Sequence, residues 1–165
     1  MVDLRSVMAT FPTGVGIVTA IGRDTRPAGM TCTAIASVTL DPPCLLVSLR
    51  SASPTLDAVA AHGGFAVNLL RADARDTAEL FASGRPDRYE QVRWDLAPGA
   101  RGPHLSDAAH TTADCRVLRQ TAVGDHTVVF GEVTGVVERG DVRPLLFGLR
   151  GFAEWPDSAL LSPGV

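Results

Sequence analysis

Lysine is absent from this chain: all 15 basic residues are arginine. That excludes a Walker phosphate loop, whose lysine is obligatory. It also leaves every cationic contact to a guanidinium, which can grip a phosphate through two parallel hydrogen bonds. Cysteine is scarce as well. Cys32, Cys44 and Cys115 cannot all pair and show no C-x-x-C spacing, which fits a reducing cytoplasm better than a disulfide scaffold. No run of about 18 apolar residues is present to span a membrane. The opening MVDLRSVMATF lacks the basic start and long apolar centre of a signal peptide. A net charge of −3 argues against nucleic acid, which selects a basic face. A soluble, cytoplasmic protein is expected, with neither nucleic acid nor membrane as partner.

Other familiar machinery is missing too. Gly14-Val15-Gly16 begins a G-x-G, but Thr19 stands where a dinucleotide fingerprint needs its third glycine, and the segment continues as a strand. No G-x-S-x-G elbow presents a nucleophile. His104, His110 and Cys115 are scattered without a second tight pair, so no metal site is expected. Chemistry on this chain would therefore be carried by a bound organic cofactor, for which the protein supplies position and electrostatics.

What is present reads as one strand-rich domain over 1–165, with a loose tail at 156–165. Asp3 caps a short helix carrying Leu4, Val7, Met8 and Phe11 at helical spacing, and Pro12 ends it. Extended runs follow at 14–21, 29–40 and 44–49. A helix over 54–61 has Ser53 as N-cap, Pro54 at its first position and Gly63-Gly64 as its stop. Strand 65–70 and helix 73–82 come next. A long irregular loop covers 84–112, and strands at 113–122, 127–138 and 145–149 complete the count. Regular strand–helix alternation is lacking, so an antiparallel barrel with short helical insertions fits best.

Eight short pieces, in order and spacing, carry a family resemblance from about Leu4 to Trp155. They are Phe11-Pro12-Thr13-Gly14-Val15 with Val18-Thr19, then Gly29-Met30-Thr31, Ser37 to Pro43, Phe65 to Leu70, Phe81-Ala82 with Asp87-Arg88-Tyr89, Gly124-Asp125-His126, Gly131-Glu132-Val133, and Pro144-Leu145-Leu146 with Arg150-Gly151-Phe152. The chain resembles the short flavin reductases, the reductase components of two-component flavin monooxygenases. The resemblance implies a mainly β split barrel (Greek-key, FMN-binding-like) and a homodimer. It implies non-covalent FAD or FMN, NADH or NADPH as electron donor, and a partner monooxygenase that receives reduced flavin.

On that reading, small residues and hydroxyls along Thr31, Cys32, Thr33, Ser37, Val38 and Thr39 give donors to the flavin edge, where negative charge grows on reduction. Alternate hydroxyls facing solvent on an antiparallel strand are the competing account. Ser51, Ser53 and Thr55 sit at a helix N-terminus suited to phosphate, although Ser53 could serve only as a cap. Phe81 and Ala82 belong to the same matched set. Arg88 is a second phosphate or ribityl contact, with Arg85 as its rival. His126 is the catalytic candidate, orienting the nicotinamide or moving a proton. Arg150 and Phe152 would close the nicotinamide side, unless Phe152 is core. Hydride transfer needs the two rings held together and no protein nucleophile. A non-catalytic flavin carrier and a split-barrel oxidase acting on a pyridoxine phosphate remain alternatives.

Overall fold

The computed structural model describes residues 3–140 and 143–156, so the tail expected at 156–165 lies outside the described residues except for Pro156. Ten strands and three α-helices follow in the order α1 (Leu4–Ala9), β1 (Thr13–Gly14), β2 (Gly16–Ile21), β3 (Pro27–Cys32), β4 (Ile35–Leu40), β5 (Pro43–Arg50), α2 (Pro54–His62), β6 (Gly64–Leu70), α3 (Arg75–Ala82), β7 (Ala109–Val123), β8 (His126–Glu138), β9 (Leu145–Gly148) and β10 (Gly151–Glu154). A single 3-10 turn, Arg88–Glu90, interrupts the loop between α3 and β7.

Seven strands form one antiparallel sheet in the order β3-β2-β6-β7-β8-β5-β4. Its two edges, β3 and β4, are consecutive in the chain and joined only by Thr33 and Ala34. Laid flat, seven strands would separate those edges by about 29 Å, whereas the link from Cys32 to Ile35 reaches at most about 11 Å. The sheet must therefore curl until its edges meet. The Cys32 thiol, at the end of β3, donates to the Ser48 carbonyl of β5 at 3.6 Å and marks the seam. The result is a single-domain split barrel, as the resemblance implied. The run read as one strand over 29–40 is thus two, because the chain changes edges in its middle. The run at 14–21 is likewise divided: Thr13–Gly14 pairs with β9 in a three-strand sheet, and Gly16–Ile21 joins the barrel. β7 begins at Ala109, shortening the expected loop, and β10 was not anticipated at all.

β2 and β6 are buried on both faces because two cores flank them. Val18, Val47, Val59, Phe65, Val67 and Val129 fill the barrel beneath α2. Val15, Ile17, Leu70, Phe81, Leu105 and Leu145 pack outside it beneath α3 and the long loop. The local signals at α2 act as written. Ser53 accepts from the Leu56 N–H at 3.1 Å, and Gly63 takes a φ of 70° that only glycine adopts freely.

One buried polar group fastens the long loop to the barrel. The Asn68 carboxamide accepts from the Leu105 N–H at 2.9 Å and the Thr112 hydroxyl at 3.1 Å. Its Nδ2 donates to the Pro103 carbonyl and Thr19 Oγ1, both at 3.1 Å. Asp114 adds a second fastening, accepting from the Arg101 N–H at 2.6 Å and pairing with His104 Nε2 at 2.9 Å. Gly102 lies so close to the Thr19 carbonyl that no Cβ fits there.

Asn68→Ala orphans several buried donors and acceptors at once and should lower stability by about 2–4 kcal/mol in urea unfolding. A pH limb follows from the core. Burial, with the Asp114 charge second, pushes the Cys115 thiol from 9.0 up to about 12. The folded thiol keeps its proton while the unfolded chain releases it above pH 9.0, so stability is full below that pH and falls as pH rises toward 12. Burial pushes the Tyr89 phenol upward as well, adding to the same limb. Thermal melts from pH 8 to 11 should show a declining Tm, and Cys115→Ala should flatten the decline.

Candidate functional site

The seam where β3 hands over to β4 is also the mouth of the barrel, and an open cavity of about 650 Å³ lies there. Its walls are apolar: Met8 and Phe11 from the N-terminal segment, Ile35 and Leu46 from the β4–β5 pair, and Phe147 from β9. Arg5 and Arg150 stand at its rim. β4 is a sheet edge paired only with β5, so its outward backbone N–H groups are open to a ligand. Thr33 lines the cavity; Ser37, Val38 and Thr39 continue along the exposed strand beside it.

Ser51 lies three residues beyond Ser48, placing the start of α2 about 10 Å along β5 from this mouth. Ser53 and Pro54 open that helix, and Ser51 shares a 3.0 Å hydrogen bond with Thr127. His126 stands directly across the ladder from Arg50 at the same end. Its Nδ1 is 2.8 Å from Asp125 Oδ1, which leaves Nε2 outward on a ring 43% exposed. The hydrogen bond from His126 holds the Asp125 carboxyl below the usual carboxylate range.

The structure thus puts Thr33 and Arg150 on an apolar slot, with Ser37–Thr39 continuing along β4 beside it and Ser51, Ser53 and His126 further along the barrel end. Several expected contacts need correcting. The Thr31 hydroxyl donates to the Ala78 carbonyl at 2.6 Å, which takes its proton away from any flavin edge. The Cys32 thiol is buried, and burial pushes its pKa up, so it offers no charge. The Thr39 hydroxyl is engaged with the Asp41 backbone. Thr55 is 2% exposed and lies under the helix it opens. Phe81 is a core ring, edge-on to Tyr89 at 5.1 Å between centroids, while Ala82 beside it is exposed. Arg88 spends Nε on the Gly29 carbonyl at 3.1 Å and Nη1 on the Arg85 carbonyl at 2.6 Å, bracing the loop. Its rival Arg85 is paired with Asp87. Phe152 packs edge-on against Phe147 at 5.2 Å with the Arg75 guanidinium over its face, so it supports the slot from behind.

Sequence reasoning missed Arg5, Met8, Phe11, Leu46 and Phe147. A signal was available in part: the stripe of Leu4, Val7, Met8 and Phe11 is 49% to 63% exposed and finds no core of its own. Arg150 reaches the rim through an unusual turn. Leu149 and Arg150, between the paired Gly148 and Gly151, both have positive φ, at 50° and 63°. That is the two-residue hairpin pattern normally given to Asn-Gly. The Leu149 N–H donates to the Ala9 carbonyl at 2.6 Å, tying the turn to α1.

A family model described as flavin reductase like domain matches residues 8–156. A flavin reductase (NADPH) of Lentzea aerocolonigenes is 50% identical over 153 residues, covering 93% of this chain and 89% of that protein. The flavin-dependent monooxygenase reductase subunit HsaB of Mycobacterium tuberculosis is 34% identical, covering 87% of this chain and 76% of that protein. Among solved structures, the NADH:FAD oxidoreductase SgcE6 of Streptomyces globisporus C-1027, in complex with NAD and FAD fragments, superposes with a TM-score of 0.87. It is 31% identical and covers 94% of this chain and 93% of that one.

Leu149 is 81% exposed in a left-handed conformation that asparagine tolerates better. Leu149→Asn should raise stability by about 0.5–1 kcal/mol, read from the urea midpoint.

Proposed function

The chain belongs to the flavin reductase like domain family, and from that membership we infer that it takes a hydride from NADH or NADPH, reduces FAD or FMN, and supplies the reduced flavin to a separate flavin-dependent monooxygenase. The observation that carries this reading is a relative of that activity, half identical over nearly the whole chain. It favours the reductase over a non-catalytic flavin carrier or a pyridoxine-phosphate oxidase.

The residues fit the group. A slot walled by Met8, Phe11, Ile35, Leu46 and Phe147 suits a flat ring, and the open edge of β4 supplies backbone donors beside it. A bound flavin supplies the ring that accepts the hydride from the nicotinamide. The chain's part is to hold, orient and shield. The apolar walls exclude water, which strengthens each remaining polar contact. Donors on β4 favour the charge that develops at the ring edge on reduction. Because the Ser53 side chain and carbonyl take the Leu56 and Asp57 N–H groups, the start of α2 offers a phosphate chiefly its helix dipole. His126, its Nδ1 engaged by Asp125, presents Nε2 to the nicotinamide carboxamide.

A second copy of this chain covers the apolar N-terminal face. Leu4, Val7 and Phe11 are each at least 60% exposed, with Val38 and Leu40 on β4 at 47% and 87%, more large apolar side chains than a free surface usually gathers. Free cysteines fit a cytoplasmic location.

The reading is tested by following absorbance at 340 nm with purified protein, each flavin and each nicotinamide. Saturable oxidation above the protein-free rate is expected, and its absence despite flavin binding would return the chain to the carrier role. In the same assay His126→Ala should raise the nicotinamide KM about 3- to 10-fold, the worth of one hydrogen bond, with flavin affinity intact. Total loss of turnover would instead make His126 an essential acid or base. Sedimentation should give twice the 17.3 kDa chain mass, and a monomer at micromolar concentration would contradict the dimer.

A further inference from the structure

The apolar slot carries charge only at its rim. Among the described residues that line it, Arg5 and Arg150 are the charged ones, and no carboxylate stands with them. Neither guanidinium has a hydrogen-bond, ion-pair or ring partner among the described residues. Both are nonetheless placed by the fold. Arg5, Met8 and Ala9 recur at i, i+3 and i+4, so they share the face of α1 that turns to the cavity. The exposed Leu4 and Val7 lie off that face, so a second copy covering them leaves Arg5 on the slot. Arg150 arrives from the opposite side. Its φ of 63°, after 50° at Leu149, turns it out of the β9–β10 hairpin onto the rim. The Leu149 N–H donates to the Ala9 carbonyl at 2.6 Å, which ties this turn to the helix carrying Arg5. Ala9 is four residues beyond Arg5, about 6 Å along the helix axis. Both guanidiniums are therefore within reach of one ligand.

Two unpaired guanidiniums at the edge of an apolar slot suit an anion with several oxygens. Each gives paired N–H donors, and the water-poor walls strengthen the pairing. Position narrows the anion. The flavin's own phosphate is directed along β5 to the start of α2. The nicotinamide has to lie against the flavin ring over the slot, and one ribose separates it from its diphosphate. His126 pairs with Arg50, two residues beyond Ser48 at the seam, so its carboxamide contact is about 7 Å along β5 from the mouth. One nucleotide covers that span. We infer that Arg5 and Arg150 together seat the diphosphate of the nicotinamide dinucleotide, and so serve NADH and NADPH alike. This rests on the reductase reading and adds to it the place where the donor's tail leaves the barrel.

The test uses the full chain with Arg5→Gln, Arg150→Gln, and the conservative Arg5→Lys and Arg150→Lys. Neither side chain has a partner to lose, so all four variants should keep the wild-type Tm. Calorimetry follows binding of ADP-ribose, which carries the diphosphate without nicotinamide, and of nicotinamide mononucleotide, which lacks the diphosphate. FMN and FAD are titrated alongside. Wild type should bind ADP-ribose, and each glutamine variant should weaken it about 5- to 10-fold, with a smaller loss in the lysine variants. Nicotinamide mononucleotide and FMN should change less than about twofold. Steady-state KM values for NADH and NADPH should rise by the same factor. Absent ADP-ribose binding in wild type, or unchanged binding in the glutamine variants, overturns the assignment. A matching loss of FMN would give the arginines to the flavin's phosphate, and a loss of FAD with ADP-ribose unchanged would give them to FAD's own diphosphate. A rise confined to NADPH would give them to its 2′-phosphate. Each of these three results overturns the assignment too. If no flavin supports nicotinamide oxidation, the reductase reading fails, while the ADP-ribose titration still decides what the two arginines hold.

Discussion

Everything in this molecule depends on a two-residue link. Thr33 and Ala34 join strands that sit at opposite edges of a seven-strand sheet, and a chain that short cannot cross a flat sheet. Closure is therefore built into the connectivity, and the hydrogen bond from the Cys32 thiol of β3 to the Ser48 carbonyl of β5 records it. Because the edges meet without a full ladder, the seam keeps open backbone groups, and an apolar cavity forms beside them. The requirement that closes the barrel also creates its binding mouth.

Support for that mouth comes from outside the barrel. Phe147 faces the cavity, Phe152 packs behind it, and Arg75 from α3 lies over Phe152. The Leu149–Arg150 turn is anchored to α1 by a backbone bond. Asn68 and Asp114 pin the long loop so that α3 and the second core stay beneath it. A chemistry needing only two rings held face to face asks for this kind of rigidity. It does not ask for a strained nucleophile.

An all-arginine complement shapes how charge is used. Arg88 and Arg139 each spend donors on carbonyls or buried side chains, which a point-like ammonium would do with less directional control. Arg88, which looked like a ligand contact in sequence, is therefore a brace, and composition could not distinguish the two uses.

Much was legible in the sequence. The Ser53–Pro54 start and glycine stop fixed α2, β-branched runs marked most strands, and the family resemblance led to the split barrel and to flavin chemistry. Local rules sufficed there, because caps, turns and side-chain alternation act over a few residues. Only the folded chain showed that 29–40 changes edges, that Thr55 and Phe81 are buried, and that the Thr31 hydroxyl is spent on Ala78. It alone placed Met8, Leu46 and Phe147 around one cavity, with Arg5 and Arg150 at its rim. A side chain's exposure and its partners are set by residues tens of positions away. The sequence by itself determined the elements and the chemical class, and the tertiary structure decided which side chains remained free to act.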